Sequence, residues 1–320
     1  MPDGLAALER LGIQLGVHDA FRFRGIRFLS SSVSADALFP AGYGLAVRRT
    51  SLHRLMIECA AQMGAELRWG AVATGISHDG VRLGSDFVHA RWIIGADGTN
   101  SRVRRWAGIG NRFRPRLRYA FRRHYGVAPW TDHMEVYWGQ HCQGYATGVG
   151  EDQVCIALVS HDPSFRLEDG LQELPLLRAK LAGAEAVSTE RGAITGNRQF
   201  SRVWKGNVAL IGDASGTVDA ITGEGLGLAF SQAVRLAECL ESGDLAAYQS
   251  AHREISLRPL YMARSMLTLD RRPWLQERTL RVFREHPKVF CRLLAFHVGA
   301  LPPTRLVWDG LKLGWGLLTV

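Results

Sequence analysis

The feature that most constrains this chain is a glycine-rich run behind a short apolar strand. Val208-Ala209-Leu210-Ile211 reads as a buried strand. It delivers Gly212-Asp213-Ala214-Ser215-Gly216, then Asp219 and Thr222-Gly223-Glu224-Gly225-Leu226-Gly227. Open α/β sheets bind ligands at the carboxyl ends of their strands, so Asp213 stands where a carboxylate can accept a hydrogen bond from a sugar-type hydroxyl. The glycines let the backbone approach a flat ring. A helix expected from about Leu226 to Glu241 then aims its free N–H groups and positive dipole end at whatever lies above it. A reduced flavin is negative over N1 and O2, and a helix N-terminus there is worth roughly 0.3–2 kcal/mol. A capped strand–turn–helix would account for a lone Gly-Asp pair. The four glycines after Asp213 favour the flavin.

Two further constellations lie upstream. Trp92-Ile93-Ile94 has the signature of a buried strand and ends in Gly95-Ala96-Asp97-Gly98, before Ser101 and Arg102, Arg104 and Arg105. Arg48-Arg49 precedes a helix that Thr50 or Ser51 can cap, with Leu52, Leu55, Met56, Cys59 and Met63 on its apolar face and Gly64 at its end. Strands are expected from about Glu66 to Ile76 and from Val81 to Ala90. Residues 113–200 then change character. Alternating runs such as Met134-Glu135-Val136-Tyr137-Trp138 predict an antiparallel sheet with one solvated face, interrupted by a single helix from about Leu167 to Leu181. The expected architecture is therefore α/β, with a discontinuous Rossmann-like domain over 1–112 and 201–257. A substrate-domain sheet is inserted over 113–200, and helices follow over 258–320. Residues 21–45 fit either the first domain or the sheet.

The order Arg49-x-x-Leu52, Asp97-Gly98, Asp213 resembles the FAD-dependent aromatic-hydroxylase and geranylgeranyl-reductase superfamily over roughly residues 1–250. The resemblance implies FAD as cofactor. It places Arg49 beside the FAD, Asp97 near its pyrophosphate side and Asp213 on the ribitol. The backbone of Gly225 and Leu226, with Gly212 and Gly223 shaping the turns, would face the ring, and Ala73 would lie at the adenosine end. Two departures stand out. Ala220 replaces a proline common in the family, and no GxGxxG occurs: Gly223-x-Gly225 runs into Leu228, and Gly42-x-Gly44 into Val47. Met1-Pro2-Asp3-Gly4-Leu5 resembles a point just past the family's opening unit, so an N-terminal βαβ of about 30 or more residues is expected to be missing.

The implied chemistry is that of an oxidoreductase whose flavin is reduced by NAD(P)H. The WxWxIP run of tryptophan halogenases is absent, and the segment around Tyr145 lacks the YxWxFPK pattern of geranylgeranyl reductases. The first expectation is therefore monooxygenase-like hydroxylation of an apolar or aromatic small molecule. Reduction of an isoprenoid double bond is the alternative, and a non-catalytic fragment or basic binding module is the reading from another class. No catalytic acid or base is identified; Tyr145, His141 and His124 read as sheet residues.

The net charge of +9 suggests an anionic partner, but only four of the 39 basic residues are lysines and the arginines are spread along the chain. No nucleic-acid partner is expected. Five cysteines, odd in number and without a CxxC, predict reduced thiols in a cytoplasmic protein. The histidines have no metal-ligand spacing, so no metal is expected. No apolar run of about 18 residues is present to span a membrane. Trp308 and Trp315, with Leu313, Leu317 and Leu318, leave peripheral membrane contact open, although docking of a final helix is the plainer account.

Overall fold

The computed structural model describes residues 1–16, 20–110 and 116–319. The expected start of the sheet segment at 113 and the side chains of Trp315 and Leu318 lie outside the described residues. The largest unit is an eight-stranded sheet. Its order runs Glu185–Ala186, Arg118–Gly126, Gln153–Ser160, Cys142–Gly148, His133–Trp138, Gly25–Leu29, Ser34–Leu38, and Arg191–Thr195 also pairs with Arg118–Gly126. Pairing is antiparallel except between Gly25–Leu29 and His133–Trp138, which run parallel with Phe28 opposite Val136.

Neither face of the central strands is left to solvent. In His133–Trp138 the neighbours Val136, Tyr137 and Trp138 are all buried. Val136 and Trp138 face the helices Pro273–Glu285 and Pro287–His297, where Phe28 stacks on Trp138 at 5.0 Å and on Phe290 at 5.2 Å. Tyr137 joins Ile156 and Leu158 on the opposite face, covered by Leu167, Leu174 and Leu177. The expected solvated face is thus corrected: alternation signals one apolar face, and the second is covered by helices distant in sequence. The single helix expected over Leu167–Leu181 is two, Leu167–Glu173 and Pro175–Lys180. Pro175 has no N–H to continue the ladder and disfavours helical backbone at Leu174.

A smaller sheet holds Trp204–Lys205, Val208–Leu210 and Ile93–Gly95, the last two parallel with Leu210 opposite Gly95. The long helix Gly225–Ser242 packs on it through Leu236 and Cys239. The next helix, Leu245–Asp270, adds Leu245 and Tyr248. The Asp244 carboxylate accepts from the Ala247 N–H at 2.9 Å and caps that helix. The helix Pro2–Arg10 crosses Gly225–Ser242 where Gly4 meets Gly227; a Cβ on Gly227 would lie 3.2 Å from the Gly4 Cα. Among the described residues, Ile93–Gly95 has no strand on its other edge. Ile94, expected to be buried, is 37% exposed.

A third sheet, Ala73–Ser77, Gly80–Leu83 and Asp86–His89, starts later than the strand expected from Glu66. The helix Arg49–Gln62 begins with Arg48 as its N-cap and no side-chain cap, so Thr50 and Ser51 fall inside its first turn.

Candidate flavin-binding site

Because Ile93–Gly95 and Val208–Leu210 run side by side and parallel, the Asp97 and Asp213 loops leave the sheet at the same edge. Asp213 sits in the short 3-10 turn Gly212–Ala214, which Gly212 enters with φ +56. Only glycine adopts that backbone without strain. The turn is clamped from below. The Gly212 N–H donates to Gln232 Oε1 at 2.7 Å, the Ser215 hydroxyl donates to the Gly212 carbonyl at 2.8 Å, and Tyr248 OH donates to the Leu210 carbonyl at 2.8 Å. His252 Nε2 lies 2.9 Å from Ser215 Oγ, and burial pushes its pKa down to about 4, so the ring is neutral at pH 7. Above this clamp Asp213 is exposed, its Oδ2 accepting from Thr99 Oγ1 at 3.2 Å.

Arg104 ties the two loops together. Its Nη1 donates to the Ala214 carbonyl at 2.9 Å and its Nη2 to the Thr99 carbonyl at 3.0 Å, with the guanidinium 4.4 Å above the Phe200 ring. Asp97 caps the helix Arg102–Trp106: its Oδ2 accepts from the Arg102 N–H at 2.6 Å and the Val103 N–H at 3.1 Å. Desolvation opposes ionisation of Asp97, but hydrogen bonds from Ser101 and these N–H groups prevail and hold its pKa below the usual value. The carboxylate remains exposed at the loop surface. Arg49 opens the helix Arg49–Gln62; desolvation and Arg122 lower its pKa while Asp213 raises it, so it shares the electrostatic field of Asp213. Ala73 heads the strand Ala73–Ser77, which packs against the Arg102–Trp106 helix rather than on the Asp213 loop.

The glycine loop is anchored from the large sheet. Asp219, 2% exposed, accepts from the Ile221 N–H at 3.0 Å and caps the turn Ala220–Thr222. It is bound by Arg118 Nη1 at 2.9 Å. Arg118, at 1% exposure, also donates to Gln143 Oε1 at 3.0 Å and lies 3.5 Å from Asp270 Oδ2. Arg104 and Arg118 therefore serve internal bonds. The Ala220 N–H donates to Thr195 Oγ1 at 2.8 Å, a bond a proline could not make. Gly223 turns the chain with φ +67 into the helix Gly225–Ser242. Apart from its chain neighbours and its own helix backbone, nothing lies within 4 Å of where a Cβ on Gly225 would stand, and Leu226 is half-buried beside it.

These residues fit the ring end of an FAD: an exposed carboxylate at Asp213, an open glycine face, and a helix N-terminus with free N–H groups. An apolar cavity of about 440 Å³ adjoins the loop at Ile221 and Thr222. Phe28, Val136, Trp138, Met266 and Phe290 are in its walls. Of the sheet residues, Tyr145 OH donates to Gln143 Oε1, His124 Nδ1 lies 3.1 Å from Ser188 Oγ, and His141 Nδ1 lies 2.7 Å from Glu173 Oε1. Sequence reasoning missed Gln232, His252 and Arg118, and it named Arg104 beside Asp97 without a role. Gln232 alone carried a local signal, two helical turns after Gly225 on the same face.

A glycine-turned strand end carrying an exposed aspartate beside an apolar cavity is the arrangement that the expected flavin site calls for. The relatives it matches fit the aromatic-hydroxylase and geranylgeranyl-reductase-like superfamily that its motifs resemble. It is 29% identical over 282 residues to menaquinone reductase of Mycobacterium tuberculosis, covering 77% of this chain and 67% of that protein. It is 29% identical over 238 residues to digeranylgeranylglycerophospholipid reductase of Methanosarcina acetivorans, covering 66% of this chain and 58% of that protein. Its fold matches 2-methyl-3-hydroxypyridine-5-carboxylic acid oxygenase with a TM-score of 0.68 at 20% identity, over 84% of this chain and 80% of that one. No protein-family model matches.

Proposed function

We propose that this protein is an FAD-dependent reductase of a double bond in a long apolar, prenyl-type molecule. The observation that carries the reading is the apolar cavity adjoining the glycine loop at Ile221 and Thr222. A chain-like hydrocarbon seated there would lie against the face that Gly225 leaves open. The reductase names of the two relatives, one acting on a lipid with geranylgeranyl chains, support it. They move the weight from hydroxylation, the first expectation, to reduction.

Asp213 would hold the ribityl chain and the N–H groups of Gly225 and Leu226 the ring. Gly212 and Gly223 would shape the turns. Arg49 and Asp97 would flank the pyrophosphate, and Ala73 the adenosine end. The cofactor would carry an electron pair from NAD(P)H to the substrate. Flavin titration tests the cofactor part of this reading, and a protein that takes up no FAD would overturn it. Anaerobic conversion of a prenyl substrate with NAD(P)H supports reduction; oxygen uptake coupled to NAD(P)H oxidation supports hydroxylation instead.

A further inference from the structure

Glu224 stands between the two motif glycines Gly223 and Gly225, yet its side chain points into the protein. It is 5% exposed, and His297, at the end of the helix Pro287–His297, is 6% exposed. Glu224 Oε2 and His297 Nδ1 face each other at 3.6 Å, and neither atom has a hydrogen-bond partner. Two buried polar atoms without partners are costly to keep, and two that face each other invite a shared proton. The pair also bridges two spaces. His297 is in the wall of the apolar cavity, together with Thr222 of the glycine loop. Glu224 borders a separate cleft with Asp3, Gly4 and Arg258.

We propose that Glu224 and His297 form a coupled proton-transfer pair that delivers a proton from the cleft into the apolar cavity. The role as a proton source for double-bond reduction rests on the reductase reading above. Saturating a double bond needs two electrons and two hydrogens. A bound reduced flavin would supply the hydride to one carbon, and His297 would give a ring proton to the other. Nδ1 of His297 takes the Glu224 carboxyl proton as the ring loses its own. Glu224 is left as a carboxylate, with Arg258 Nη2 4.0 Å from its Oε1, and is reprotonated from water in the cleft.

The surroundings suit this resting state. Burial first, and then Asp3, push Glu224 up to about 8 against the opposing pull of Arg258 and Thr222. Burial and then Arg258 push His297 down to about 4, against the Thr222 carbonyl. At neutral pH the acid is therefore protonated and the imidazole neutral. His297 would touch the reacting carbon; Glu224 acts through it as a positioning and relay residue.

The test has two arms. In FAD-loaded protein, single-turnover reduction of a prenyl substrate should fall above about pH 8 in the parent. In Glu224→Gln it should be about 100-fold slower, the scale of general-acid catalysis, with the alkaline limb gone and flavin reduction by NAD(P)H unchanged. His297→Gln should show the same loss. The second arm needs no turnover: the ¹⁵N resonances of the His297 ring, followed from pH 5 to 9, should step near pH 8, and the step should vanish in Glu224→Gln. Absence of the step overturns the proposal. So does a Glu224→Gln protein that keeps the parent rate and pH profile. A protein with the step that reduces no double bond retains the pair and removes the reductase reading.

Discussion

At the residue scale, Asp213 and Gly225 carry the sharpest expectations. Asp213 is exposed on a turn held from beneath by Gln232, Ser215 and Tyr248, so truncating it removes a ligand contact without disturbing the clamp. Asp213→Ala should weaken FAD by about 1.5–3 kcal/mol, the value of a charge-assisted hydrogen bond, with little change in melting temperature. Unchanged flavin affinity, measured by fluorescence titration, would take Asp213 out of the site. Gly225 is the complementary case. Apart from its chain neighbours and its own helix backbone, a Cβ there meets nothing within 4 Å, so Gly225→Val should fold yet fill the space a ring would occupy. Folded protein with a full flavin spectrum in that variant would place the ring elsewhere. Both residues were legible in the sequence because a strand end followed by glycines has few other uses. Glu224 was quoted within the same motif, but its inward direction depends on His297, 73 positions away, and no local pattern encodes that.

At the element scale, the site depends on two loops that belong to different parts of the chain. Arg104 joins them through the Ala214 and Thr99 carbonyls. Arg104→Met should leave the buried Ala214 carbonyl short of a donor, at about 1–3 kcal/mol in stability. It should also loosen flavin binding, since Asp213 and Asp97 would no longer be held in one frame. Loss of stability with unchanged flavin affinity would confine Arg104 to a structural role. Helix and strand positions were mostly readable from periodicity, and the glycine stops at Gly64 and Gly243 fall where the helices end. What failed were contexts: Pro175 divided one expected helix, and Ile94 reads as core in sequence but has no neighbouring element among the described residues to bury it.

At the scale of the whole molecule, buried ionisable groups set opposing pH dependences. His252 and His297 are held at about 4, below the ordinary histidine value near 6.5. The stability they contribute is complete above about pH 6.5 and is lost as pH falls toward 4, because the unfolded chain takes up protons there first. Glu224 is raised to about 8, so its contribution runs the other way and falls as pH rises from about 4.5 to 8. Glu224→Gln should therefore be more stable than the parent, with a gain in denaturation midpoint that grows between pH 5 and 8. A gain independent of pH would show that Glu224 titrates normally. A group that destabilises the fold while adjoining a cavity is the pattern expected of function rather than packing.

The sequence by itself determined the α/β class, the three motifs and their order, because strand ends, glycine turns and helix starts are local consequences of backbone sterics and capping. It also carried the resemblance from which the FAD reading came. Only the tertiary structure decided that helices cover both faces of the central sheet strands and that Gly25–Leu29 pairs parallel to His133–Trp138. It alone brought Arg118 of the sheet to Asp219 of the glycine loop, and Glu224 to His297. Those choices rest on burial and pairing between segments far apart in sequence. The energy of such contacts depends on which surfaces meet, and no window of neighbouring residues contains that information.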